Sequence, residues 1–190
     1  MLKALVSACF VAACFIGISS QAAGQEIIHA LTGTVSSIDS ATKTITVLQD
    51  NGKQGEFQLM SNPKTKISFD KKVEAASTAA TAFDKQGAYV IVFYFGNDSA
   101  RTIVAVKALG QGPFAQASGT VTRFDSHSHE IALVDESGKE QTFKIDPSTV
   151  AEGMMGVTEG LKFHADKGDR VRVVSSGAGG AATALFVRAM

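Results

Sequence analysis

Short stretches in which hydrophobic and polar residues alternate recur along most of the chain. In Thr44–Asp50, Ile45 and Val47 fall on one side and Thr44 and Thr46 on the other, the period of a half-buried strand. Asn51-Gly52 follows as a hairpin signal, and alternation resumes over Glu56–Met60. The same order returns later, with Ile131 and Leu133 inward, Ser137-Gly138 in a turn, and Phe143 and Ile145 inward. In the strand before each hairpin, Val35 and Ile38 are three apart, as are Val121 and Phe124. A period of two cannot put both members of such a pair on one face, which predicts a bulge or bend between them.

The recurrence is an internal repeat. Shifted by 86 residues, Gly33–Leu59 lies over Gly119–Ile145 without a gap, and Gly33/Gly119, Asp39/Asp125, Gly52/Gly138 and Phe57/Phe143 coincide. Shifted by 81, Gly87–Val90 lies over Gly168–Val171, and Val104–Lys107 over Leu185–Arg188. Such self-similarity fixes the number of structural units before any local feature is read. Each copy then closes with two further strands, Tyr89–Phe95 and Thr102–Leu109 in the first, Arg170–Ser175 and Thr183–Met190 in the second. Between the third and fourth strands the copies differ. Lys71–Lys85 carries a weak helical stripe, whereas Pro147–Phe163 holds three glycines and predicts a loop with at most a short helix. The expected fold is all-β: two tandem five-stranded small OB-like β-barrels, the first with a short helix between strands three and four. The expected spans are a first domain at 27–110, a linker at 111–117 and a second domain at 118–190.

Tyr89–Phe95 is apolar on both faces, which a strand with one wet face cannot be. Tyr89, Ile91, Phe93 and Phe95 are therefore candidates for an interface, between the two units or with a partner.

The N-terminus changes the cellular setting. Lys3, an apolar run from Ala4 to Ile18, and small residues ending at Ala22 have the layout of a secretory signal, expected over 1–22. The run is shorter than a membrane span needs, and no other stretch approaches it. Cys9 and Cys14 both lie inside the signal, so disulfides and thiolate chemistry are not expected of the processed chain. Without Lys3, the 18 basic side chains become 17 against 18 acidic ones, a balance that gives no electrostatic basis for binding nucleic acid. The outward positions Thr44, Thr46, Glu56 and Gln58 also lack the aromatic platforms that bases stack on.

Gly-Thr-Val-x-x-Ile/Phe-Asp at residues 33–39 and 119–125, the alternating hairpins, and Gly168-Asp169-Arg170-Val171 resemble a family of exported bacterial barrel domains that often occur in tandem. That resemblance implies a periplasmic or surface-associated location and carries no catalytic residues. A second similarity is to small periplasmic copper chaperones, five-stranded barrels that place a His and two Met residues near one opening. The matching candidates are His127, His129 and Met154, since imidazole and thioether suit copper. Against them, the first-copy counterparts Ala41 and Lys43 sit in a wet turn. Asp39, Asp125 and Asp169 also stand at turns, where such side chains bond backbone amides rather than work in pairs.

Three functional readings follow. The first is a non-enzymatic, exported binding or structural module of the cell envelope, without cofactor, whose partner is a protein or envelope component. The second is a periplasmic metal-binding protein using His127, His129 and Met154. The third is a hydrolase or isomerase, which requires a deep pocket lined by perturbed carboxylates.

Overall fold

A computed structural model describes residues 25–62, 64–97, 100–177 and 182–190. The expected signal at 1–22, with Cys9 and Cys14, lies outside the described residues, as do Gly179 and Gly180. The first copy contains β1 (Glu26–Ile27), β2 (His29–Asp39), β3 (Thr44–Gln49), β4 (Gln54–Leu59), β5 (Ile67–Ser68), α1 (Lys71–Ala75), β6 (Thr78–Ala79), β7 (Tyr89–Phe95) and β8 (Thr102–Ala108). The second contains β9 (Phe114–Asp125), β10 (Glu130–Val134), β11 (Glu140–Lys144), β12 (Val150–Gly153), β13 (Gly156–Glu159), β14 (Arg170–Ser176) and β15 (Ala182–Ala189). The chain is mostly β, and its two sheets each close a ring of five strands. The first runs β4-β3-β2-β7-β8 and closes by a parallel β4–β8 pairing; the second runs β11-β10-β9-β14-β15 and closes by β11–β15.

The repeat extends to atomic detail. Pairing slips by one residue between Val35 and Ser37 on β2, and its counterpart on β9 falls between Val121 and Arg123, where the bend was expected. The extra residue is Ser36 in one copy and Thr122 in the other. Each hydroxyl donates to a carbonyl across the bulge, Ser36 to Thr46 at 3.1 Å and Thr122 to Ala132 at 3.3 Å. Asp39 Oδ1 accepts from the amides of Ala41 and Thr42, and Asp125 Oδ1 from those of His127 and Ser128. The Asn51-Gly52 signal makes a three-residue rather than a two-residue loop: Gly52 N–H donates to Gln49, and Gly52 takes φ +79°.

Gly33 and Gly119 share a steric reason. A Cβ at Gly33 would lie 2.4 Å from the Leu48 carbonyl oxygen, and one at Gly119 would lie 2.3 Å from that of Val134. Both obstacles are backbone on the neighbouring strand, so relief requires the strands to part. Gly33→Ala and Gly119→Ala are each expected to cost about 1–3 kcal/mol in urea unfolding. Gly153→Ala, where an added Cβ meets nothing within 4 Å among the described residues, is expected to leave the midpoint nearly unchanged.

Two segments depart from the sequence expectation. Pro147–Phe163 is not a loop. It forms the hairpin β12–β13, and β12 joins the sheet by pairing parallel to β15. Two of its three glycines serve that hairpin: Gly153 pairs with Gly156, and Met154-Met155 make the turn. Of the expected linker 111–117, residues Phe114–Ala117 are the first part of β9, paired with Ser176–Val173 of β14. The helix expected between strands three and four of the first copy is present as the five residues of α1, capped by Asp70. No helix among the described residues is long and apolar enough to cross a membrane.

Each ring is filled by its own apolar cluster, built around Phe57, Ile45 and Val92 in the first and around Phe143, Ile131 and Val171 in the second. A third cluster lies between the rings. Strand β7 explains it: Val90, Val92 and Tyr94 point into the first ring, while Ile91 and Phe93 point out of it and are fully buried. They meet Val150, Val157, Val174 and Phe186 of the second copy. Phe69 adds a ring 5.1 Å from that of Phe93. Full burial of a side chain of this size contributes about 1.5–3 kcal/mol. The rings are therefore packed on each other through a core of their own.

Candidate functional site

The four residues singled out on β7 all belong to the inter-ring cluster. Ile91 and Phe93 are buried in it, and Tyr89 and Phe95 pack at its edge. The Tyr89 ring stacks on Phe114, with centroids 4.8 Å apart.

The candidate metal ligands are distributed differently. His127 and His129 lie in the turn held by Asp125, and His129 has φ +55°, like Lys43 in the first copy. They are turn residues, not members of an extended segment with both rings facing one way. Met154 sits at the tip of the β12–β13 hairpin, 95% exposed. It lines a cleft of about 570 Å³ together with His164, not with His127 or His129. Among the described residues, no three His, Cys, Asp or Glu side chains cluster as a metal site. His127 and His129 thus stand in one turn and Met154 in another.

Three polar clasps surround the inter-ring core, and sequence reading identified none of them. At the first, the Asp50 carboxylate of the β3–β4 loop accepts from the Thr32 hydroxyl, the Tyr89 hydroxyl at 2.9 Å and the Arg172 guanidinium of the second copy. Arg172 also donates to Gln116 at 3.0 Å. Burial, reinforced by the Asp50 charge, pushes the Tyr89 phenol up to about 12. At the second, Asp70 pairs with Lys162 at 2.8 Å, and Lys72 with the buried Glu159 at 2.8 Å. Burial pushes the Asp70 carboxyl upward, but Lys162 and the amides of Val73 and Lys72 outweigh it and hold the group below its ordinary value. At the third, the buried Glu152 carboxylate meets His29 Nδ1 at 3.0 Å and Arg188 Nε at 3.3 Å. His29, at the start of β2 and with its side chain still 43% exposed, thus ties the first ring to the second.

Two groups of these clasps, Asp70 and Tyr89, make stability depend on pH. Asp70 has a lower pKa folded than unfolded, so its contribution is present above the unfolded value of about 3.8 and lost as pH falls through the folded one. Tyr89 has a higher pKa folded than unfolded, so its contribution is present below about 10 and lost as pH rises through about 12. The melting temperature is expected to fall below pH 4 and again between pH 10 and 12. Tyr89→Phe, which keeps the stack on Phe114, is expected to flatten the alkaline limb.

A cleft of about 770 Å³ opens on the first ring beside β4. Its walls carry Gln49, Lys53, Gln54 and Glu56 from the β3–β4 hairpin, and Arg101 from the start of β8. Leu31 and Tyr94 also line it, and Arg188 enters from the second copy. The Arg101 guanidinium lies 5.6 Å from the centroid of the Phe57 ring and 5.3 Å from that of Tyr94, covering both aromatic faces. Because Arg188 is also a partner of Glu152, the third clasp positions one wall of this cleft. Sequence reading missed the site because its pieces lie at residues 31, 49–58, 94, 101 and 188.

No protein-family model matches the chain, and no curated protein matches it. The resemblance to exported tandem-barrel domains is therefore not carried by a family match. What stands is a mostly-β chain whose two sheets each close a five-strand ring.

Proposed function

We propose that the chain is a non-enzymatic, exported binding module of the bacterial cell envelope, made of two OB-type barrels locked side by side. Two kinds of support bear on the barrel reading. Each ring runs in the order 1-2-3-5-4 with strands three and five parallel, and each interior is filled by side chains rather than hollow. The N-terminal signal layout supports export.

One observation carries the binding reading: a cleft of about 770 Å³ takes residues from both copies, and the contact that delivers Arg188 to it is part of the inter-ring clasp. A cleft whose walls are fixed before the ligand arrives loses little ordering entropy on binding. Seven of the carboxylates serve structure. Asp39, Asp125 and Asp135 hold turns, and Asp50, Asp70, Glu152 and Glu159 join the copies.

The test is co-sedimentation of the mature protein with isolated bacterial envelope fragments, alongside thermal melts with Cu(I), Cu(II), Zn(II) and Ni(II). The module reading expects saturable retention that unlabelled protein competes away, and no shift with any metal. Absence of retention, or a rise of several degrees with one metal, would overturn it, since a ligand specific to the folded state must raise the melting temperature.

A further inference from the structure

The β12–β13 hairpin holds two methionines where neither packing nor turn geometry calls for them. Met154 is 95% exposed and Met155 87%, side by side in the turn between Gly153 and Gly156. Neither fills a core, the ordinary use of a methionine. Met60 shows that use: it is half-buried and lines a small cavity with Ile67, Phe69 and Val104. Methionine does not help a turn either, where Gly, Asn, Asp or Ser supply a positive φ or a side-chain bond to the backbone. In this turn Gly156 takes the positive φ, at +97°. What the pair offers to solvent is the chemistry of its two thioethers.

A solvent-exposed thioether takes an oxygen atom from a peroxide to become a sulfoxide, and reductases reverse the change. Cys9 and Cys14 both lie in the expected signal, so the sulfur of the processed chain is methionine sulfur. We propose that Met154-Met155 is a paired, reversible sulfoxidation site for peroxide-class oxidants. In each step a lone pair on Sδ attacks one peroxide oxygen, the S–O bond forms and the O–O bond breaks. The departing oxygen takes up the proton left on the transferred one and leaves as water; sulfur loses two electrons and the peroxide gains them. A methionine sulfoxide reductase returns the thioether with two thiols, which become a disulfide as the oxygen departs as water. Because neither side chain is buried, the added oxygens displace no core contact, and the fold survives both oxidations. The same residues rim the cleft of about 570 Å³ whose walls include Phe69, Val157 and Phe163, so oxidation turns an apolar rim polar. This role goes beyond the binding-module reading and does not depend on it.

The experiment treats the mature protein with limiting hydrogen peroxide beside N-acetylmethionine amide, which sets the rate of a fully solvated thioether. Trypsin places Met60, the Met154-Met155 pair and Met190 in separate peptides, so mass spectrometry follows each. Both members of the pair are expected to oxidise at the reference rate and about tenfold faster than Met60. The doubly oxidised protein should keep its melting temperature. Methionine sulfoxide reductases for both epimers, with dithiothreitol, should restore the original mass. Met154→Leu/Met155→Leu should keep the fold and lose the fast phase, apart from the share of the 61% exposed Met190. Oxidation of the pair no faster than that of Met60, a clear fall in melting temperature on oxidation, or a mass that the reductases do not restore would each overturn the proposal.

Discussion

Phe93→Ala is expected to lower the unfolding free energy by about 3–5 kcal/mol, the range for deleting a fully buried aromatic ring. What distinguishes this residue is its position, because Phe93 lies outside both rings and is still completely buried. If the rings were independent, truncating a side chain on an outer face would cost little. The inter-ring core gives the loss its size, since the cavity would be lined by Phe69, Ile91 and residues of the second copy. Urea unfolding followed by Tyr fluorescence and by far-ultraviolet circular dichroism should show both signals moving together to a lower midpoint. Leu48→Ala, on an exposed side chain of the same sheet, should stay within about 0.5 kcal/mol of the parent.

Asp50→Ala is the second large effect, expected at about 3–5 kcal/mol, because it removes one partner of a buried charged contact and leaves the other behind. Arg172 would keep Gln116 but lose its countercharge, and the hydroxyls of Thr32 and Tyr89 would lose their acceptor. The double variant Asp50→Ala/Arg172→Met should recover part of the loss, since it no longer leaves a partly buried guanidinium without its countercharge. A double-mutant cycle on chemical unfolding measures that coupling. Additive losses would place the cost in packing rather than in the clasp.

The repeat made much of the fold legible. Val35/Ile38 and Val121/Phe124 located the bulges, Asp39 and Asp125 located the turns, and the two-faced strand Tyr89–Phe95 pointed to a buried outer face. Each of these signals is local, resting on spacing within one element. The hairpin at Pro147–Phe163 was not legible, because its glycines satisfy a tight pairing and a close approach to Ile28 that only the tertiary structure reveals. The clasps and the cleft failed for the same reason. Asp50 reads as a hairpin residue and Arg172 as an exposed strand position until the rings pack and bring them together. His127 and His129 drew attention by residue type, yet their geometry is that of Ala41 and Lys43 in the other copy.

The most direct test of the account is to produce residues 25–110 and 111–190 as separate chains and melt each beside the intact protein. A shared core predicts that each half, with Ile91 and Phe93 or Val174 and Phe186 uncovered, unfolds well below the intact chain or self-associates, and that mixing the halves restores stability. Two soluble monomers melting at the intact temperature would contradict it and make the rings independent domains.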